Sequence, residues 1–155
     1  MRIIAHRANL NGKVKEKENR LEQIKLCIKN GYDVEIDLRI INNEIYLGHD
    51  EPEEKITIDY LLEIKEKCWI HCKNLEAITF FYENQPSFNY FWHQEDQYTL
   101  TSKGYIWAYP GTKVSKGCIA VMPEWYLSKE EFKNLRKFLV FGVCTDFPNL
   151  FTEEK

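Results

Sequence analysis

The chain has 155 residues and a mass of 18.6 kDa, enough for one packed core but too few for two ordinary domains, so we expect a single domain spanning residues 1–155. Hydrophobic residues make up 44% and aromatic residues 14%, which argues against a disordered chain. The net charge of −3 gives no basic surface for nucleic acid, and the apolar runs are far shorter than a membrane span.

Cysteine usage and the start of the chain favour a cytoplasmic protein. The five cysteines include no C-x-x-C pair, and most have an apolar neighbour, so we expect reduced core thiols rather than a disulfide or a zinc site. The first apolar segment is interrupted by His6 and Arg7, so no secretory leader is visible.

The first elements predict a strand, a helix and a second strand. Residues 2–5 form a short apolar strand that ends in His6-Arg7, and residues 8–17 form a polar loop. An amphipathic helix then begins at Asn19 or a neighbouring residue and runs to Lys29, with Gly31 past its end. If the two strands are parallel, their carboxyl ends meet at one edge of the sheet.

The second strand carries two carboxylates on one face. Between residues 33 and 40 apolar and charged residues alternate, so Glu35 and Asp37 point the same way and repel each other unless a cation or water lies between them. Asn42-Asn43 then predicts a turn, and a return strand over residues 44–47 leads to His49. A solvated acidic strand face is the alternative interpretation.

The rest of the chain alternates between predicted helices and strands. After a charged loop at 51–55 we expect helices at 57–67, 75–83 and from Ser128 to Phe138, and strands at 68–73, 87–92, 105–109, 118–122 and 139–145. The connections between the strands at 87–92, 105–109 and 118–122 are too short for full helices.

All four histidines lie at or near the carboxyl end of a predicted strand. They are His6, His49, His71 and His93. In parallel α/β sheets and barrels ligands bind at that edge. One such histidine is usually structural, but four together predict a functional site.

Four short motifs resemble the signature of the glycerophosphodiester phosphodiesterases, members of the TIM-barrel phosphodiesterases that include phosphatidylinositol phospholipase C. The motifs are His6-Arg7, Glu18-Asn19, Glu35-x-Asp37 and His49-Asp50, in the family's order and spacing over roughly the first third of the chain. Residues 142–148 resemble the family's last strand. A typical (β/α)₈ barrel needs about 250 residues. We therefore expect an α/β fold that is a reduced or incomplete TIM-type (β/α) barrel with several helices missing.

The resemblance implies roles for seven residues and one ion. It implies His6 and His49 as the acid–base pair, Arg7 and Lys73 as ligands of the substrate phosphate, and Glu35 and Asp37 as ligands of a divalent cation. His71 stands where the family often has a third acidic ligand. Because a histidine softens an all-oxygen site, this departure disfavours Ca²⁺ and admits Mg²⁺, our first expectation, or Mn²⁺; His71 contacting substrate is the alternative.

The sequence therefore predicts a metal-dependent phosphodiester hydrolase acting on a small glycerophosphodiester-like molecule of lipid metabolism, without nucleic-acid binding or stable membrane insertion. Two alternatives remain: a phosphoryl-ligand binding protein without turnover, and a metal-dependent hydrolase of another bond. The late aromatic residues, including Trp107, Tyr109 and Trp125, either line a pocket or are ordinary core residues.

Overall fold

A curled mixed sheet with few helices forms the framework of the molecule. The structure, a computed structural model, describes residues 1–84, 87–137 and 140–151. The strands are β1 (Arg2–Ala5), β2 (Asp33–Ile41), β3 (Glu44–Leu47), β4 (Glu54–Ile56), β5 (Cys68–Cys72), β6 (Asn89–Phe91), β7 (Tyr98–Leu100), β8 (Ile106–Ala108), β9 (Cys118–Val121) and β10 (Gly142–Thr145). The α-helices are α1 (Leu21–Lys29), α2 (Ile58–Ile64), α3 (Leu75–Asn84) and α4 (Lys129–Lys133).

The parallel strands follow the order β6-β5-β2-β1-β10-β9-β8. β3 is antiparallel to β2, β4 to β3, and β7 to β8. The carboxyl ends of all the parallel strands therefore share one edge. This curled arrangement is consistent with a partial barrel, and it confirms the predicted α/β class.

The two faces of the sheet have different contents. Val34, Ile36 and Leu38 of β2 are fully buried in a cluster that also contains residues of α1, α2 and α3, so these helices pack on the outer face. The inner face is filled by a second cluster, mostly aromatic and aliphatic: Ile4, Trp69, Phe91, Trp107, Ile119, Val121, Met122 and Cys144. Since side chains alternate along a strand, Glu35 and Asp37 point into this interior.

One serine links the edge strand β6 to the β7–β8 hairpin. The Ser102 backbone N–H donates to Tyr90 O at 2.8 Å, and its hydroxyl accepts from Tyr90 N at 3.0 Å and donates to Phe88 O at 2.9 Å. The segments between β6 and β7 and between β8 and β9 contain no helix, as predicted.

Most predicted elements are present with small shifts in their ends. Asn42 and Asn43 have the positive φ angles, 52° and 65°, that the predicted turn requires. The charged loop predicted at 51–55 instead contains the start of β4, and β7 was not predicted. Two predicted boundaries, the end of a helix at Phe138 and the start of a strand at Leu139, lie outside the described residues.

None of the helices in the described part of the chain combines the length and apolar composition that crossing a membrane requires.

The loop that carries His49 depends on Gly48. Its φ is +141°, and a Cβ there would lie 2.0 Å from the Glu51 carbonyl oxygen. We expect Gly48→Ala to lower the free energy of unfolding, measured by urea denaturation, more than Gly104→Ala does. Gly104 has a φ of +82° but open space around it, so its substitution should cost only the left-handed backbone penalty of about 1–2 kcal/mol. Equal losses would contradict the steric role of Gly48.

Candidate active site

One cavity at the carboxyl edge of the sheet gathers most of the predicted site residues. Its volume is about 190 Å³. The lining residues are His6, Arg7, Glu35, Asp37, His49, His71, His93, Asp96, Trp107, Tyr109, Pro110, Val121, Met122 and Trp125. Lys73, the remaining predicted site residue, has its Nζ 3.7 Å from Asp37 Oδ1.

The carboxylates of Glu35 and Asp37 are buried in the interior of the sheet. Glu35 is 2% exposed and Asp37 1%. In the parallel register Asp37 lies beside His71 of β5, so the strand pairing itself places the imidazole next to the carboxylate. A buried carboxylate is costly unless charges or hydrogen-bond donors surround it, and both are found here.

A tight turn after β1 brings Arg7 to both carboxylates. Arg7 and Ala8 have left-handed φ angles of 49° and 63°, a conformation that costs energy in residues with a Cβ. The turn lets the Arg7 backbone N–H donate to Glu35 Oε2 at 3.0 Å, while Arg7 Nε lies 3.2 Å from Asp37 Oδ2.

Asn19 binds Asp37 through both polar atoms of its side chain. Its side-chain Nδ2 donates to Asp37 Oδ2 at 3.0 Å, and its Oδ1 accepts from the Asp37 backbone N–H at 2.9 Å. Asn19 has a φ of 54°. The helix predicted to begin at Asn19 or a neighbouring residue begins at Leu21, with Arg20 as its N-cap. Its neighbour Glu18 accepts from Arg7 Nη1 at 3.4 Å.

His71 completes a cluster that could hold a metal ion. Its Nδ1 lies 3.2 Å from Asp37 Oδ1 and 3.9 Å from Glu35 Oε1, and one ligand atom from each of the three residues lies within 4.8 Å of the others. Asp37 Oδ1 is buried, and the nitrogens of His71 and Lys73 lie near it without the alignment of a good hydrogen bond. A buried carboxylate oxygen that faces an imidazole nitrogen in this way fits a cation bound by both.

The other nitrogen of His71 supports this interpretation. His71 Nε2 lies 3.4 Å from the backbone carbonyl oxygen of His93. A carbonyl oxygen only accepts hydrogen bonds, so Nε2 carries the proton in this contact. In the neutral ring the lone pair is then on Nδ1, which faces the two carboxylates as a metal ligand requires.

The pKa values of the two carboxyl groups shift in opposite directions. Burial raises the pKa of Glu35, and the charge of Asp37 raises it further. Burial also pushes up the pKa of Asp37, but His71, Arg7 and Lys73 outweigh that effect and hold it below its usual range. Asp37 is therefore the more firmly ionised of the pair.

His6 has a carboxylate partner of its own. Its Nδ1 lies 2.8 Å from Asp146 Oδ1, which also accepts from Asn9 Nδ2 at 2.9 Å. Burial lowers the pKa of His6, but the hydrogen bond to Asp146 and the charge of Glu35 more than compensate, so the pKa is raised above 6.5. Because Nδ1 is occupied, Nε2 is the nitrogen available to a ligand.

His49 is arranged in a similar way on the other side of the cavity. Its Nδ1 lies 2.7 Å from Asp50 Oδ1, and about a third of its side chain is exposed. Arg39 fixes the loop by donating to the backbone carbonyl oxygens of Gly48, His49 and Asp50. The two histidines predicted as an acid–base pair thus line one cavity, each with its own carboxylate.

His93 lies in a stack of three parallel rings. It stacks on His71 with the ring centroids 4.6 Å apart and an interplanar angle of 7°, and His71 stacks on Phe91 at 5.0 Å and 12°. Burial lowers the pKa of His93 to about 4, and His71 and Lys73 add to the effect. His93 is therefore neutral at physiological pH.

Sequence reasoning did not assign roles to Asn9 and Asp146. Asn9 lies in a polar loop, and nothing in its local pattern signals that it is 2% exposed. Asp146 directly follows the last strand, at the same edge as the histidines. That position was the available signal.

Comparisons with known proteins show a distant similarity of fold and no similarity of sequence family. No protein-family model matches the sequence, and no curated protein matches it. The structure is similar to the crystal structure of a "putative glycerophosphodiester phosphodiesterase" from Galdieria sulphuraria, with a TM-score of 0.54 and 14% sequence identity. The similarity covers 97% of this chain and 96% of that one. At this identity it establishes a distant likeness of fold alone.

The His6–Asp146 contact predicts a pH effect. Because the folded-state pKa of His6 is raised, its contribution to stability is fully present below the unfolded value of about 6.5 and is lost as the pH rises through the folded value. We expect Asp146→Asn to lower the midpoint of the pH titration of His6, measured by NMR from its ring protons. The same substitution should weaken the dependence of the free energy of unfolding on pH in this range. Asp50→Asn, which removes the partner of His49 instead, should leave the His6 midpoint in place. An unchanged midpoint in Asp146→Asn would contradict the contact.

Proposed function

We propose that the protein is a metal-dependent phosphodiester hydrolase that acts on a small glycerophosphodiester-like substrate, on one reduced TIM-type (β/α) barrel domain spanning residues 1–155. The observation that carries the proposal is the shared cavity. Two imidazoles with separate carboxylate partners face it together with the Glu35–Asp37–His71 cluster and Arg7. The distant fold neighbour adds support at the level of architecture.

Glu35, Asp37 and His71 would hold the divalent cation. When bound, the cation supplies positive charge to the phosphate oxygens. The family resemblance and the two carboxylates favour Mg²⁺, with Mn²⁺ or Ca²⁺ as alternatives. Three protein ligands at one end of an open cavity leave room for phosphate and water oxygens.

Arg7 and Lys73 would supply further positive charge. Arg7 is held by Glu18 and Asp37 and also lines the cavity. A phosphodiester resists attack because its anionic oxygens repel the nucleophile, so cations fixed beside it lower the barrier. Arg7 is preorganised for this role because its contacts exist before substrate binds.

His6 and His49 would transfer the protons. In the scheme that the resemblance implies, a substrate hydroxyl loses its proton to one imidazole and attacks phosphorus. The P–O bond to the other alcohol breaks, and the second imidazole protonates the departing oxygen. Water then opens the cyclic phosphate to a phosphomonoester. The raised pKa of His6 keeps its ring protonated to a higher pH than that of a free imidazole, which suits the acid of the first step.

The activity can be tested with a panel of glycerophosphodiesters and nucleotide diesters, each with EDTA, Mg²⁺, Mn²⁺ or Ca²⁺. Release of a phosphomonoester or a cyclic phosphate that depends on a divalent cation is expected for at least one glycerophosphodiester. Tight binding of phosphorylated compounds without product under any metal condition would contradict the proposal and indicate a binding protein.

Removing either histidine should abolish turnover without unfolding the chain. His6→Ala and His49→Ala should each lower kcat by about 10²–10⁴-fold, the usual contribution of a general acid or base. Circular dichroism should show an intact fold. Tyr82→Ala, which alters an exposed side chain on α3, is the matched surface control and should keep full activity. Near-normal rates in either histidine variant would defeat the assignment.

The nitrogen ligand should set metal preference. Calorimetric titration of His71→Asp, which makes the cluster all-oxygen, should show stronger Ca²⁺ and Mg²⁺ binding relative to Co²⁺. Mutating a residue that only hydrogen-bonds to a metal ligand typically costs ~10-fold or more in metal affinity. Replacing a direct ligand should therefore change this ratio of affinities by at least as much. His93→Phe removes the neighbouring imidazole but keeps a flat ring, and it should retain the wild-type ratio. An unchanged ratio in His71→Asp would show that His71 is not a ligand.

A further inference from the structure

The cavity has a polar half and an apolar half, and the proposed chemistry uses only the polar one. Strands β2 and β5 and the residues that follow β1, β3 and β6 supply the charged groups and histidines. The other half comes from β8, β9 and the residues that follow them: Trp107, Tyr109, Pro110, Val121, Met122 and Trp125.

The side chains at the floor of the apolar half are buried and packed against other aromatic rings. Trp107, Val121 and Met122 are 5%, 8% and 2% exposed. The Trp107 ring lies 4.6 Å from Phe91 and 6.0 Å from Trp69, centroid to centroid. A group that enters here meets carbon surface with few hydrogen-bonding atoms.

The rim carries an exposed tryptophan on an anchored backbone. Trp125 is 66% exposed, yet it belongs to a short 3-10 helix, Pro123–Trp125, whose start is fixed by Met122 in the left-handed region at φ 45°. The side chain of Glu124 ties this helix to β10 by accepting from Thr145 Oγ1 and Asp146 N, both at 2.8 Å. A left-handed backbone conformation is strained in a residue that, like Met122, has a Cβ, and such residues are concentrated at functional sites.

Tyr109, the second rim aromatic, is held in the same manner. It is 49% exposed, but its backbone N–H donates to Gln97 O at 2.9 Å. Its carbonyl oxygen accepts from Thr112 N at 3.1 Å and from Thr112 Oγ1 at 2.7 Å. Exposed aromatic rings on fixed backbones lose little entropy when a ligand covers them, so they are suited to binding.

We propose that the alcohol esterified to the substrate phosphate is an uncharged group with hydrocarbon or aromatic surface, which packs on Trp107, Tyr109 and Trp125. This inference rests on the proposed function, because a phosphate held between Arg7 and the cation-binding cluster directs its ester group toward the opposite wall. A polyol there would lose water from its hydroxyls without gaining partners, and that loss is costly.

The size of the cavity limits what lies inside it. A volume of about 190 Å³ is somewhat larger than the ~150 Å³ of an engineered cavity that holds benzene. Phosphate, the glycerol whose hydroxyl attacks it and at most the first carbons of the second alcohol would fill it. The remainder of the alcohol would extend outward over Tyr109 and Trp125, which explains why those two rings are exposed at the mouth.

The test compares four diesters of glycerol phosphate that differ only in the second alcohol: benzyl alcohol, hexanol, glycerol and choline. Their kcat/KM values are measured with the wild-type protein and saturating metal. The benzyl and hexyl diesters should exceed the glycerol diester by about tenfold or more, as expected when a desolvated polar group is left unpaired. The choline diester should fall below both apolar diesters.

Variants at the rim separate binding from chemistry. Trp125→Ala should raise KM for the benzyl and hexyl diesters several-fold with little change in kcat, and should leave the KM of the glycerol diester unchanged. Tyr126→Ala is the matched control, because Tyr126 is a neighbouring aromatic, 40% exposed, that does not line the cavity. It should change none of these values.

Each outcome has a distinct meaning. A glycerol diester turned over best, with no effect of Trp125→Ala, would overturn the apolar-alcohol proposal and leave the hydrolase proposal standing. Fastest turnover of the choline diester, with sensitivity to Trp125→Ala, would overturn the uncharged alcohol in favour of a cation. If no diester is hydrolysed, the hydrolase proposal fails. Calorimetric binding of the benzyl diester to wild type and Trp125→Ala then decides the inference, and equal affinities would overturn it.

Discussion

Two carboxylates buried on one strand face are the constraint from which the rest of the site follows. Glu35 and Asp37 point into the sheet interior at 2% and 1% exposure. Removing two like charges from water costs several kcal/mol each unless positive charge surrounds them. The left-handed turn at Arg7, the asparagine Asn19 and the imidazole of His71 all converge on this pair. Asp37 Oδ1 faces His71 Nδ1 and Lys73 Nζ without a well-aligned hydrogen-bond donor, an arrangement that a cation fits.

A third carboxylate on the same face shows how a structural acid differs. Asp33, at the amino end of β2, is 2% exposed and is paired with Arg2 and Lys67, and it also accepts from the Trp69 indole N–H. These partners contact both of its carboxylate oxygens, and Asp33 does not line the cavity. One strand therefore carries an acid with both oxygens paired at its amino end and, toward its carboxyl end, an acid with one oxygen that has no well-aligned hydrogen-bond donor. This difference in hydrogen bonding distinguishes the structural carboxylate of Asp33 from the carboxylate of Asp37 in the candidate site.

The sequence predicted which side chains lie together better than it predicted how they are connected. Alternation along β2 and the histidines after the strands depend on local pattern, and the structure has both. The exact first residue of α1 could not be inferred. Asn19 lies just before the helix in a left-handed conformation because its side chain hydrogen-bonds to Asp37, which is distant in sequence. The partnership of His6 with Asp146 joins residues 140 positions apart, and only the strand order brings them together. Long-range pairing of this kind leaves no periodic trace in a sequence.

The central claim, that Glu35, Asp37 and His71 hold an ion beside a phosphate, is tested most directly by anomalous diffraction from crystals soaked with Mn²⁺ and inorganic phosphate. The account predicts one anomalous peak between the three side chains in the wild type, with a phosphate between it and Arg7, and no such peak in Asp37→Asn. A cavity that stays free of Mn²⁺ at saturating concentration, or a peak bound elsewhere with the three residues unchanged, would contradict it.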